Sequence, residues 1–245
     1  MSLTEEQIRG NLQRIEERIR KAAVSANRTP ESIKLLVVSK RQPVEVVENA
    51  ARAGVKLFGE NYAEEIEPKR QALSVFSGIQ WHMIGHIQSR KVKIVAEMAD
   101  YVHSIDSLEL ALKLNRALEE RGRDLPVLLE MNVSSEESKS GWAAWDGSHW
   151  EALSLEIEEV LACSRLDVHG LMTMPPLAEN PETVRPYFAR LARLRDYLAA
   201  RFPATDWREL SMGTSADFET GIQEGASFIR IGQAILGPRP AWISG

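Results

Sequence analysis

Cys163 is the single cysteine among 245 residues. A disulfide framework and a cysteine-based metal centre are thereby excluded. Lying at the end of a helical pattern, Cys163 is expected to serve packing or to be a surface thiol. No apolar run is long enough to span a bilayer, and the opening Met1-Ser2-Leu3-Thr4-Glu5-Glu6-Gln7 has neither a basic nor an apolar leader segment. There is no basic block either. The 30 Lys and Arg are interspersed with 35 Asp and Glu for a net charge of -5, which argues against nucleic acid as a partner. A Ser-His-Asp order, a Walker loop and Gly-x-Gly-x-x-Gly are all missing, so hydrolase, P-loop and dinucleotide readings have no motif. No Pro/Gly/Ser-rich linker, internal repeat or low-complexity tract divides the chain. These absences lead to the expectation of a soluble, cytoplasmic protein with one domain over residues 1–245.

What is present is an alternation. Thr4-Glu5-Glu6-Gln7 fits a capping box, and Ile8, Leu12, Ile15, Ile19 and Ala22 follow at helical spacing. After that helix the pattern predicts strands at Leu35–Ser39, Lys56–Gly59, Trp81–Ile84, Tyr101–Ser104, Val127–Asn132, Val168–Thr173, Glu209–Met212 and Phe228–Ile231. Between them it predicts helices at Val44–Ala53, Ala63–Leu73, Arg90–Met98, Leu108–Arg121, Trp150–Ala162, Pro181–Arg201 and Phe218–Glu224. Eight strands separated by seven helices match a single α/β (β/α)8 TIM-type barrel carrying an extra N-terminal helix. The least regular stretch, Ser134 to Ser148, falls after the fifth strand. Its Trp142 and Trp145, with Trp150, suit either a partner-binding loop or ordinary packing.

Polar clusters fall at four predicted strand ends, the face on which barrels build their sites. Lys40 closes the run Leu35-Leu36-Val37-Val38-Ser39, a strand buried on both faces. Partial desolvation at such a mouth lowers a lysine pKa and leaves more neutral amine for imine chemistry. Gly59-Glu60-Asn61 comes next, with Asn61 either donating to a ligand oxygen or capping the following helix. Ser211-Met212-Gly213-Thr214-Ser215 and Arg230-Ile231-Gly232-Gln233 follow strands seven and eight, where barrels hold phosphates on backbone N–H groups. Arg230 alternates with Ile229 and Ile231 and so shares a face with Phe228. If that face is interior, the guanidinium needs a partner: an acid such as Glu130, or a ligand acceptor such as a pyridine nitrogen. His82, His86 and His103 lie on different strands without paired helical spacing, a poor basis for a metal site.

Together these stretches resemble a known family, the pyridoxal 5′-phosphate homeostasis proteins, relatives of the N-terminal barrel of the alanine racemases. The resemblance spans nearly the whole chain. Its blocks are Val37-Val38-Ser39-Lys40, Phe58-Gly59-Glu60-Asn61-Tyr62, Trp81-His82-Met83-Ile84-Gly85-His86-Ile87-Gln88, Ser135-Glu136-Glu137-Ser138-Lys139-Ser140-Gly141, Gly170-Leu171-Met172-Thr173, Leu210-Ser211-Met212-Gly213 and Arg230-Ile231-Gly232. It implies a fold-type-III barrel in which Lys40 forms the internal aldimine with pyridoxal phosphate. Ser215 and the Gly232 backbone would hold the phosphate, beside Gly213, with Arg230 facing the pyridine nitrogen and Asn61 near the cofactor. Two positions depart from the family. Gln233 replaces the usual Thr or Ser, removing one expected hydroxyl, and Thr214 replaces the usual Met, adding a donor.

The resemblance implies a carrier more than a catalyst. An arginine opposite the pyridine nitrogen keeps it unprotonated and weakens the ring as an electron sink. In the related racemases a second acid/base comes from a separate C-terminal domain and a partner subunit, whereas this chain ends at Gly245, just after the barrel. The expectation is therefore a non-catalytic pyridoxal phosphate protein that stores, buffers or delivers the cofactor, possible recipients being pyridoxal phosphate-dependent apoenzymes. A monomer is expected. Two other readings are a racemase-like enzyme using Tyr62, His86 or Lys139 as its second base, and a cofactor-free lysine-imine aldolase.

Overall fold

The computed structural model describes residues 2–136, 139–176 and 178–240. Glu137 and Ser138 of the Ser135–Gly141 motif, and Gly245, lie outside the described residues. The chain opens with helix α1 (Glu5–Ser25), started by the expected capping box: the Thr4 hydroxyl accepts from the Gln7 N–H at 3.4 Å, and the Gln7 side chain accepts from the Thr4 N–H at 2.9 Å. Eight parallel strands then alternate with helices. They are β1 (Lys34–Val38), α2 (Val44–Arg52), β2 (Leu57–Glu60), α3 (Ile66–Ala72), β3 (Gln80–Met83), α4 (Val92–Met98), β4 (Tyr101–Ile105), α5 (Leu108–Glu119) and β5 (Leu125–Asn132). A two-residue strand, β6 (Trp142–Ala143), pairs with β5 before α6 (Trp150–Leu161). The series ends with β7 (Leu166–Met172), α7 (Arg185–Arg201), β8 (Glu209–Thr214), α8 (Phe218–Gln223), β9 (Phe228–Ile231) and α9 (Gln233–Leu236).

Neighbouring strands pair in chain order, β9 pairs with β1, and β4 pairs with β5, so the ring closes without an edge. This is the TIM barrel that the alternation implied. Boundaries differ where short 3-10 turns precede helices: Ala63–Glu65, Ser89–Lys91 and Pro181–Val184 form such turns and not the first turn of an α-helix. β6 and α9 were not foreseen, being too short to show a period. Lys40 sits in a turn beyond β1, which stops at Val38.

Burial divides the apolar residues into two sets. A continuous layer lies between strands and helices, where Val37, Phe58, Trp81 and Ile229 meet the helices. Inside the ring, Leu36, Val38 and Ile84 line the upper part, with Tyr101, Leu128, Met172 and Phe228 below. Helix α1 is more than a lead-in. Its buried face packs against α8 and α9, Asn11 donates to the Ile235 carbonyl at 2.8 Å, and Arg18 pairs with Glu219 at 2.6 Å. It thus braces the two helices that follow strands β8 and β9. Cys163 is buried at the end of α6, as packing.

Gly170 marks the tightest approach in the ring. Its φ is +150°, at the register shift between β5 and β7, and an added Cβ would lie 1.9 Å from the Glu209 carbonyl oxygen. Backbone, not a flexible side chain, blocks that space. Gly170→Ala is expected to destabilise the protein by at least about 3 kcal/mol, read as a lower urea midpoint; an unchanged midpoint would show that the barrel relaxes there.

Candidate functional site

The site begins with the turn after β1. The Ser39 carbonyl accepts the Gln42 N–H at 3.0 Å, and Arg41 adopts φ +60°, a left-handed conformation unusual for a residue with a side chain. Between them, Lys40 is half-buried. Desolvation lowers its pKa, helped by the positive charges of Arg239, Arg230 and Arg41 and opposed by Glu60. The amine is thereby biased towards the neutral, nucleophilic form.

Arg230 projects into the ring, so the face it shares with Phe228 is the interior one. It is 4% exposed. Its Nη2 donates to the Thr173 carbonyl at 2.8 Å and its Nη1 to Ser211 Oγ at 2.7 Å. Burial pulls its pKa down to about 10, so it stays charged at neutral pH. The alternative of an ion pair with Glu130 is not what forms: among the described residues no such contact within 4.0 Å occurs. Glu130 is itself pushed up to about 7 by burial and by Asp106, against the pull of Arg230.

Below Arg230 a polar chain descends through the barrel. Ser211 Oγ lies 2.9 Å from His103 Nδ1, and His103 Nε2 lies 2.9 Å from His82 Nδ1. Arginine only donates, so Ser211 accepts from it and turns its own O–H towards His103. His103 then donates from Nε2 to His82 Nδ1, an assignment made from the network. His82 Nε2 is left buried without a hydrogen-bond partner, and the His82 ring stacks on Tyr101. Burial holds both histidines neutral, His82 at about 3 and His103 well below the usual histidine range. His86 lies apart, exposed, 2.8 Å from Asp106. Among the described residues no cluster is arranged to hold a metal.

Lys40, Asn61, Thr214, Ser215, Arg230, Gly232 and Gln233 all line one cavity of about 200 Å3. Gly213 is not on its wall. It shapes the turn instead, with φ +93° and an added Cβ only 2.9 Å from Phe218 Cα. Gly232 forms a cradle whose missing Cβ would lie 3.1 Å from the Val38 carbonyl and 3.4 Å from Arg239 Nη2. The first N–H groups of α9, on Gln233 and Ala234, have no intrahelical acceptor. Thr214 corrects one expectation. Its N–H and hydroxyl both donate to Asp217 Oδ1, at 2.6 and 3.1 Å, so it adds no donor for an anion.

Sequence reasoning missed Val38, Ile84, Met174, Ala234 and Arg239, which also line the cavity. Arg239 follows Gly237-Pro238 beyond the last helix; a lone basic residue after the barrel closes was the available signal. Larger hollows exist, including a groove of about 600 Å3 past Asn61, yet they hold neither the amine nor the buried guanidinium. The small cavity combines an amine whose pKa is lowered by burial, a fixed guanidinium, and the Ser215 and Gly232 turns beside Arg239. Those groups suit a flat, phosphorylated carbonyl compound with a ring acceptor.

The sequence profile of the alanine racemase N-terminal domain matches residues 10–240. Proteins named pyridoxal phosphate homeostasis protein align along the chain: that of Vibrio alginolyticus is 39% identical over 236 residues, covering 95% of this chain and 97% of the relative. That of Aquifex aeolicus is 40% identical over 228 residues, covering 93% and 96%. The chain belongs to the pyridoxal phosphate homeostasis protein family. PipY of Synechococcus elongatus, solved with PLP bound, superposes with a TM-score of 0.77 at 30% identity, covering 89% of this chain and all 100% of PipY. Alanine racemase of Clostridium difficile shares the fold alone, at 18% identity and a TM-score of 0.69, over 96% of this chain and 57% of the racemase.

The neutral histidines make acid stability a readout of the interior. In the unfolded chain His82 titrates near 6.5, whereas the folded protein withholds its proton until about 3. Between those values the unfolded state binds more protons, so stability falls as the pH drops through that window. From pH 6.5 to 5 the His82 share is roughly 2 kcal/mol. Urea unfolding at pH 7 and 5 should show the His82→Leu variant losing less stability than the parent by about that amount; equal losses would mean His82 is already protonated in the fold.

Proposed function

We propose that this chain binds pyridoxal 5′-phosphate covalently through Lys40 and serves its homeostasis by storing, buffering or delivering it, with little or no catalysis. The observation that carries the reading is the convergence of Lys40, Arg230 and the Ser215–Gly232–Arg239 cradle on one cavity. The fit is chemical as well as geometric. When bound, pyridoxal phosphate supplies an electrophilic aldehyde and a ring that withdraws electrons when its nitrogen is protonated.

Each chain residue then has a task. Lys40 would offer a partly desolvated amine to the aldehyde, the group with which imine chemistry would take place. The α9 N–H groups, the Ser215 hydroxyl and the Arg239 guanidinium hold the phosphate. Two N–H donors of Arg230 go to Thr173 and Ser211, leaving others for the ring nitrogen. A guanidinium has no proton to surrender at neutral pH, so Arg230 would leave the ring nitrogen unprotonated and the bound cofactor a weak electron sink. Asn61 lines the same cavity.

A racemase needs a second acid/base on the far side of the ligand. Tyr62, His86 and Lys139 are not among the residues lining the Lys40 cavity, and Lys139 faces Glu136 at 3.8 Å. General acid/base help contributes about 10²–10⁴ in rate, so its lack supports the carrier reading. Apoenzymes that use pyridoxal phosphate are the natural recipients.

The purified protein is expected to show a visible absorption band that borohydride bleaches, with the label mapping to the Lys40 peptide, and Lys40→Ala should lack it. Amino-acid racemisation should stay at background. Saturable racemisation that disappears in Lys40→Ala would replace the carrier with an enzyme, and a protein that stays colourless with added pyridoxal phosphate would remove the cofactor reading.

A further inference from the structure

Behind the Lys40 turn lies a buried ion cluster that cofactor binding does not use directly. Lys69, on α3, is 3% exposed, and Glu60, the last residue of β2, is fully buried. The Lys69 ammonium donates to Glu60 Oε1 at 2.7 Å, to Glu65 Oε2 at 2.6 Å and to the Ser39 carbonyl at 2.9 Å. All three of its protons are therefore placed. Glu65 Oε2 in turn accepts the Arg41 N–H at 2.7 Å, and Ser39 Oγ donates to Glu60 Oε1 at 2.7 Å. The cluster thus grips the backbone on both sides of Lys40, the carbonyl of the residue before it and the N–H of the residue after it.

Stability alone is a poor account of this arrangement. A buried ion pair is often no better for folding than apolar residues of the same volume. An apolar side chain at position 69 cannot, however, hold a carbonyl. The turn needs holding, because Arg41 sits at φ +60°, which costs roughly 1 kcal/mol for a residue with a Cβ. Relaxing that residue would swing the Lys40 peptide and with it the reacting amine.

We propose that Lys69 is a positioning residue for Lys40: through Glu65 and the Ser39 carbonyl it fixes the left-handed turn that aims the Lys40 amine into the cavity. This rests on the reading that Lys40 bonds to pyridoxal phosphate. Misplacing a reacting atom by about 1 Å can cost two orders of magnitude in rate, whereas the cradle and Arg230 stand on other strands and need not move.

The test separates bond formation from binding. Lys69→Met and the milder Glu65→Ala, which removes the Arg41 tie but leaves the Glu60–Lys69 pair, are compared with the parent. The rate at which the visible band grows with pyridoxal phosphate is measured beside the affinity for 4-deoxypyridoxine 5′-phosphate, which carries a methyl in place of the aldehyde. Both variants should form the band at least about tenfold more slowly while binding the analogue within about twofold of the parent. Unchanged band growth in either folded variant, or a parallel loss of analogue affinity, would overturn the positioning role. A parent that never forms the band defeats the Lys40 reading itself and this inference with it, whereas a normal parent with unaffected variants defeats the inference alone.

Discussion

A guanidinium keeps its charge at neutral pH even when it is buried, and much of this barrel's interior is organised around that constraint at Arg230. Taking such an ion out of water costs several kcal/mol unless acceptors replace the solvent. Two come from the neighbouring strands, the Ser211 hydroxyl on β8 and the Thr173 carbonyl just beyond β7. With the Ser211 O–H turned towards His103, the bonds below it run from His103 Nε2 to His82 Nδ1. The interior of a TIM barrel is usually filled with branched apolar residues; here one sector is polar from the cavity floor downwards. The guanidinium at the top of that chain is thereby held rigidly, with donors left for a ligand.

Function and stability occupy different depths of the ring. The amine, the anion cradle and Arg230 gather at the carboxyl ends of the strands, the face where barrel loops vary. Lower down, Tyr101 meets His169 at 3.1 Å and His169 meets Asp167 at 2.7 Å, while Lys34 pairs with Glu209 at 2.5 Å. These contacts close the amino-end of the barrel over the aromatic layer of Phe228 and Tyr101. Helix α1 ties the two depths together by bracing α8 and α9 from outside.

Local pattern carried much of this into the sequence. Alternation at Phe228–Ile231 put Arg230 on one face with Phe228 without saying which face was interior, and the strand count was enough to close the ring. The two Gly-containing turns at the ends of β8 and β9 pointed to Ser215 and Gly232, which line the cavity, because barrels often place anions there. What local pattern could not carry was pairing across the ring. Lys69, in Glu67-Pro68-Lys69-Arg70, reads as an exposed helical lysine, and only the packing of α3 against the Lys40 turn buries it. Thr214 looked like a spare donor because its engagement with Asp217 depends on a turn geometry that composition does not reveal. Arg239 lay beyond the last repeat of the pattern, where alternation has nothing to say. The histidines of β3 and β4 were visible as residues, but their partnership is a matter of register between neighbouring strands.

On the proposed function, an arginine charged at neutral pH would meet the pyridine nitrogen of the cofactor and leave it unprotonated, making the site a holder more than an electron sink. The most direct measurement is the 15N chemical shift of pyridoxal phosphate labelled at the ring nitrogen and bound to the protein. The account predicts the shift of an unprotonated, hydrogen-bonded pyridine nitrogen that moves when Arg230 is replaced by glutamine. A shift in the pyridinium range, or one indifferent to Arg230, would contradict it.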